Sequence, residues 1–301
     1  VAQLTLGEVL ARARDYLEDD QPAVTIAVVR RLLEAFPQHL DAYCLLGEAC
    51  LAAGDYVSAV DCFQRVLSSD PESLTAHAGL AMICEETAEY AEALWHWERA
   101  FELAPANPAI RERLHKLYAW RDGRPPRRIG LTRAALARLY ARTGENRRAI
   151  AEYDALLDED PERVDIEAAL SEALWRAGRA GEAAETARSL MGKLPYSFKA
   201  NLLAAAAERD RDDGEACLLM AEALDPENRH AQALLGPGSP LSPRDVLAPV
   251  EVMAALPAPQ PKPAPEPPPS PAEPPSQPAV EPTATRASPL WQRLMHRILG
   301  T

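Results

Sequence analysis

None of the short motifs that carry chemistry occurs in this sequence. There is no H-E-x-x-H, no G-x-x-x-x-G-K-[ST], no G-x-G-x-x-G after a strand and no Cys/His cluster at metal-ligand spacing. The six histidines, His39, His77, His96, His115, His230 and His296, are scattered, and none has an evident Ser or Cys nucleophile partner. The acidic stretch 208–215 lacks the regular oxygen ligands of a calcium loop. These absences argue against an enzyme and leave no cofactor, metal or small-molecule substrate to assign. The five cysteines, Cys44, Cys50, Cys62, Cys84 and Cys217, are odd in number and never spaced C-x-x-C, which excludes a disulfide framework. They read as small buried hydrophobes in a reducing cytoplasm. No run approaches the roughly 20 apolar residues of a spanning helix, and VAQLTLGEVLARARDYLEDD has neither a basic start nor a continuous apolar stretch. The expectation is a cytoplasmic protein, or one peripheral at a membrane. Basic residues are also scarce: 32 Lys and Arg face 45 Asp and Glu, so most of the surface would repel nucleic acid.

Proline, by contrast, is abundant and unevenly placed. Eighteen of the 28 prolines lie between Pro237 and Pro289, dividing the chain into a body at 1–235 and a tail. The body is rich in Ala, Leu, Glu and Arg and nearly free of β-rich runs, which favours helix throughout. Its own prolines keep a period: Pro37, Pro71 and Pro105 fall 34 residues apart, and Pro161 and Pro195 repeat that spacing. A period of this length marks a helical repeat. Aligned on the prolines, the units run 6–39, 40–73, 74–107, 130–163 and 164–197. Offsets agree inside them: Leu46-Gly47, Gly54-Asp55-Tyr56, Ala59 and Phe63 in the second; Leu80-Ala81, Glu89-Tyr90, Ala93 and Trp97 in the third; Leu136-Ala137, Gly144-Glu145, Ala149 and Tyr153 in the fourth. Ala59, Ala93, Ala149 and Ala183 lie where only a methyl group lets two helices approach, with the aromatics four residues on along the same face. Gly54, Gly144 and Gly178 are placed to end first helices in the left-handed conformation.

This pattern resembles the tetratricopeptide repeat family, over about 6–235. The resemblance implies an all-α, right-handed α-solenoid of antiparallel helix pairs, a superhelix with one concave side. Two departures stand out. An incomplete unit at 108–129 carries Ile110, Leu114, Leu117 and Tyr118 at helical spacing and then a basic, proline-containing loop with Arg121, Arg124, Arg127 and Arg128. A degenerate unit at 198–228 reads as a terminal cap. In the family, set positions of each first helix face the groove. Carried over, these give Asp41, Cys44 and Glu48; Met82 and Glu85; Lys116; Arg138; Glu172 and Trp175; and Lys199. Members that clamp a carboxylate terminus use Lys, Asn and Arg at such positions, so Cys44, Glu48 and Met82 argue against that clamp. Trp97 falls at a core position, whereas Trp175 is the better exposed anchor.

From 236 to 288 the tail is Pro, Ala, Glu and Ser, too poor in apolar area to offset ordering, and is expected to be a disordered linker. At 289–300 order returns. Leu290, Trp291, Leu294, Met295, Ile298 and Leu299 form one apolar helical stripe with Arg293, His296 and Arg297 opposite. So short a helix needs a partner surface: another protein, an anionic membrane or the chain's own repeats. The sequence therefore reads as a non-catalytic scaffold that binds a partner protein in its groove and makes a second contact through the terminal helix. The alternatives are a regulatory subunit inhibited by that helix and a membrane-tethered adaptor.

Overall fold

The computed structural model describes residues 3–207, 212–256 and 298. They form helices paired in chain order, an α-solenoid without strands among the described residues. The first pair is α1 (Leu6–Glu18) and α2 (Pro22–Ala35), the second α3 (Leu40–Ala53) and α4 (Tyr56–Ser69), and the third α5 (Leu74–Glu86) and α6 (Tyr90–Leu103). Next comes α7 (Pro108–Asp122), which has no second helix of its own. Pairing resumes with α8 (Arg133–Arg142) and α9 (Asn146–Glu159), α10 (Val164–Arg176) and α11 (Ala180–Lys193), and α12 (Phe198–Ala207) and α13 (Asp212–Leu224). Two short helices follow, α14 (Arg229–Leu235) and α15 (Val250–Ala255), with a 3-10 turn at Gly236–Gly238 between them.

Local chemistry explains where these helices start and stop. Thr5 and Glu8 form a capping box at α1, and Asp55, Ser73, Asn107 and Thr132 accept first-turn N–H groups of α4, α5, α7 and α8. Gly54, Gly144 and Gly178 follow α3, α8 and α10 at φ of 76°, 82° and 77°. The third pair has no glycine at that turn, and Ala88 takes the left-handed conformation instead, at φ 63°.

Packing follows the small-and-large alternation. Ala59, Ala93, Ala149 and Ala183 are fully buried, as are Phe63, Trp97 and Tyr153. Phe63 is flanked on both sides by glycines: a Cβ built on Gly47 of α3 would stand 2.7 Å from its ring, and one on Gly79 of α5 would stand 2.3 Å from it. The ring fills a slot that only two hydrogens leave open.

The incomplete unit divides the core. Ala109, Ile110, Leu114 and Leu117 of α7, with Ile129 from the basic loop, join the core of the first three pairs. A separate core begins at Ala134 of α8. Both α7 and α8 pack on α6, so the stack changes partners here.

The stack also curls back on itself, and the folded body extends past its expected boundary. Residues 236–256, expected to open a disordered linker, are part of the fold. Leu6 donates its N–H to the Val246 carbonyl, Ala248 donates to the Leu4 carbonyl (both 2.8 Å), and α15 packs on α2. The physical reason is apolar: Ala248 and Val252 are buried in the first core, with Val246, Met253 and Leu256 packed against it. The unit expected to cap the stack is itself covered, since Phe198 and Leu202 of α12 share a core with Ala231 of α14 and Leu241.

Candidate functional site

The curl brings first-helix residues of early and late units face to face. A cavity of about 490 Å³ is lined by Asp41, Cys44 and Thr75 on one side and by Glu172, Arg176, Phe198, Lys199 and His230 on the other. A neighbouring cavity of about 440 Å³ shares Asp41, Cys44 and Thr75 and adds Glu48, Arg14 and His39. Five of the expected groove residues, Asp41, Cys44, Glu48, Glu172 and Lys199, thus line this concave interior.

Charge pairs bridge it. Protonated His230 donates through Nε2 to both Asp41 carboxylate oxygens at 2.9 and 3.0 Å, across 189 residues of sequence. That bond lifts His230 to about 9, and it holds Asp41 below its ordinary value although burial pulls the other way. Lys199 pairs with Glu72 at 2.5 Å and with Glu172. Burial opposes its charge, but the two carboxylates keep the ammonium well above the usual lysine range.

Arg138 lies deeper. It is 5% exposed and bonds Glu72 at 3.2 Å and Asp165 at 3.0 Å, while Arg163 reaches Asp165 at 2.8 Å and Glu102 at 2.7 Å. Burial alone would raise the Asp165 carboxyl, yet Arg163 and Arg138 hold it well below the usual carboxylate range. These groups come from the third pair and the α4–α5 turn on one side and from α8, the α9–α10 turn and α10 on the other, so ion pairs join the two cores.

The remaining expected groove residues lie elsewhere. Met82 is buried in the first core. Glu85 accepts from Trp97 Nε1 at 2.5 Å and from Arg113 at 2.7 Å. Lys116 is exposed on α7 and pairs with Glu112 of the same helix, and Trp175 is half-buried between the second and third cores. In the basic loop, Arg124, Arg127 and Arg128 are exposed, whereas Arg121 bonds Asp122 and lies over the Tyr118 ring. Of the terminal stripe only Ile298 is described; Leu290, Trp291, Leu294, Met295 and Leu299 lie outside the described residues. Ile298 is buried in the first core, and its carbonyl accepts from Asn107 Nδ2 at 2.8 Å.

Sequence reasoning missed Glu72, Arg163, His39 and His230 as members of the concave interior. The first two sit in inter-unit turns, and nothing local announces a partner 66 or 127 residues away.

A histidine pair lies beside the seam. His77 donates through Nε2 to the Pro71 carbonyl at 3.3 Å, which leaves Nδ1 to accept from His96 Nδ1–H at 3.0 Å. Burial first, and the neighbouring ring second, push His77 down to about 3; burial takes His96 to about 4. Both folded values lie below 6.5, so these neutral rings stabilise the fold fully above that pH, and their contribution is lost as pH falls toward 4 and 3. His230 has the opposite sign: its contribution is complete below 6.5 and is lost as pH rises through about 9. His77→Gln is expected to flatten the fall in urea midpoint between pH 6.5 and 4, and His230→Gln the fall between pH 7 and 9. Midpoint curves parallel to the parent's would contradict this.

A curled stack of helix pairs with charged and apolar residues turned into its concave face is an interaction solenoid. The chain belongs to the tetratricopeptide repeat family: tetratricopeptide repeat models match residues 16–83 and 134–197. No curated protein matches the sequence. Among solved structures it is similar to YrrB, described as a TPR protein with an unusual peptide-binding site, at 14% identity over 68% of this chain and 98% of that one, with a TM-score of 0.30. It is similar to Pseudomonas aeruginosa pilF at 15% identity over 73% and 91%, TM-score 0.35. PilW, a type IV pilus biogenesis factor, matches at 15% identity over 76% and 97%, TM-score 0.31. Proteins built of these repeats serve as protein-interaction modules, generally without catalysis.

Proposed function

We propose that this protein is a non-catalytic scaffold that holds a segment of a partner protein against the concave face of its repeats. The observation that carries this reading is the pair of adjoining cavities, about 490 and 440 Å³, lined by Asp41, Cys44 and Thr75 from first helices that face the late units. Mixed charge around apolar Leu40, Leu74 and Phe198 suits an extended segment bearing both signs and an apolar anchor. Thr75 lines both cavities, so Thr75→Arg would fill them without cutting an ion pair. Photocrosslinking from position 233, which lines the first cavity, in the native extract with the full chain is the test. Loss of the recovered protein in Thr75→Arg supports the reading, and unchanged recovery refutes it.

Ile298 supports a second reading for the terminal element: it folds back on the repeats beside Asn107 rather than reaching a second protein or a membrane. No helix among the described residues is long and apolar enough to cross a bilayer. Removing 289–301 should then speed amide exchange at the start of α7. If exchange there is unaltered while the intact chain co-sediments with anionic vesicles, the membrane contact takes its place.

A further inference from the structure

The concave face makes no use of the basic loop, since none of its arginines lines either cavity. Between Pro108 and Arg148 twelve basic residues accompany three acidic ones, in a chain whose net charge is −13. Each of those three carboxylates already meets a cation of the same stretch: Glu112 pairs with Lys116, Asp122 with Arg121 and Glu145 with Arg148. Arg124, Arg127 and Arg128 are exposed and have no hydrogen bond, ion pair or ring contact among the described residues. Their charge is left uncompensated.

The loop that carries them is held at both ends. Gly123 closes α7 in the left-handed conformation at φ 74°, Pro125 and Pro126 each fix one backbone angle, and Ile129, 8% exposed, is buried in the first core. An open apolar surface adjoins it. Trp120, 54% exposed in the last turn of α7, has its ring 5.2 Å from that of Tyr90, which is 36% exposed at the start of α6. Four residues span at most about 14 Å, so the Cα of Arg124 lies within that distance of those of Trp120 and Arg128. On the α6 side, exposed Glu89 and Glu92 flank Tyr90. The aromatic pair thus has arginines toward the loop and carboxylates toward α6.

We infer that the 124–128 loop and the Tyr90–Trp120 pair form a second docking surface, which takes an acidic segment of a partner protein. Carboxylates of the segment accept from the three guanidinium groups, and one apolar side chain covers the Trp120 indole. Charge selects this occupant. A nucleic acid that reached the arginines and stacked on Trp120 would carry phosphates on past the pair, against Glu89 and Glu92. A segment whose carboxylates stop where its apolar residue begins meets no such repulsion. The surface is separate from the concave cavities and does not depend on their having a ligand.

The test uses the full chain and blocked peptides made of a Glu triplet with one Phe, placed before or after it, followed through the indole N–H resonance of Trp120. At least one of the two peptides is expected to shift that resonance saturably, while the counterpart with Gln for Glu leaves it in place. Replacing Arg124, Arg127 and Arg128 together by Gln should weaken binding about tenfold, a few-fold for each exposed charge pair, and added salt should weaken it in the parent. Thr75→Arg, which fills the concave cavities, should leave it unchanged. No shift with either peptide, an equal shift with the Gln counterpart, or equal affinity in the triple variant overturns the assignment. Loss of binding in Thr75→Arg does so too, by placing the peptide in the concave face. A short single-stranded oligonucleotide or an anionic vesicle that shifts Trp120 where the Glu peptides do not would give the surface to that class of partner instead.

Discussion

Arg138→Met is expected to lower folding stability by about 3 kcal/mol, the low end of what breaking a buried ion pair costs. The guanidinium touches Glu72 and Asp165, and Glu102 lies 3.8 Å away. Removing it leaves buried carboxylates short of one cation, but not bare. Asp165 and Glu102 keep Arg163, and Glu72 keeps Lys199, which is why the low end is expected. The deficit should shrink when Glu72→Gln is added, since one uncompensated charge then disappears. It should also shrink in acid. A carboxyl held below its ordinary range stabilises the fold above that range, and the contribution is lost as pH falls toward the folded value, so parent and variant converge there. Urea midpoints at pH 7 and pH 3 measure both effects. A difference under about 1 kcal/mol at pH 7 would mean that the polar seam does not hold the two cores together.

Phe63→Ala is expected to be at least as severe, about 3–5 kcal/mol, because a fully buried ring is lost from a slot whose walls are backbone. The glycines give this prediction a second arm. Gly79→Ala alone should cost about 1–3 kcal/mol, since its methyl group would collide with a ring that has no room to swing. Gly79→Ala combined with Phe63→Leu should recover part of that loss, as the smaller side chain yields the space the methyl needs. Thermal unfolding of the four proteins settles it. If the two single substitutions simply add, the wedge between α3 and α5 is not what fixes their approach.

Both predictions concern residues with different legibility in the sequence. Phe63, Gly47 and Gly79 belong to a repeating pattern: the period, the small residues and the aromatic four positions on are local facts, and nearest-neighbour packing of helix pairs follows from them. Even the missing glycine of the third unit was legible as an exception, although not that Ala88 would adopt the strained turn in its place. Arg138 was legible only as a groove position. Its burial depends on how tightly the stack curls, and curvature accumulates from small rotations that no single residue encodes. The same holds for Asp41 with His230 and for Glu72 with Lys199, whose partners come from units far along the chain. The end of the body was misplaced for another reason. Proline density between 236 and 256 hid Val246, Ala248, Val252 and Met253, an apolar set able to cover α1 and α2.

That last contact changes the topology of unfolding. In an open stack the two ends lie far apart, and each frays by itself at little cost to the rest. Here residues 4–6 and 246–248 exchange backbone hydrogen bonds, so the first unit and the 246–256 segment are a single lock. Opening one end opens the other, and the row of units behaves as a closed circle. A circle can be opened elsewhere: a permuted chain joined beyond α15 and given new ends in the 124–128 loop is expected to keep the contacts between neighbouring helix pairs, and the point at which the chain starts would cease to matter for the fold.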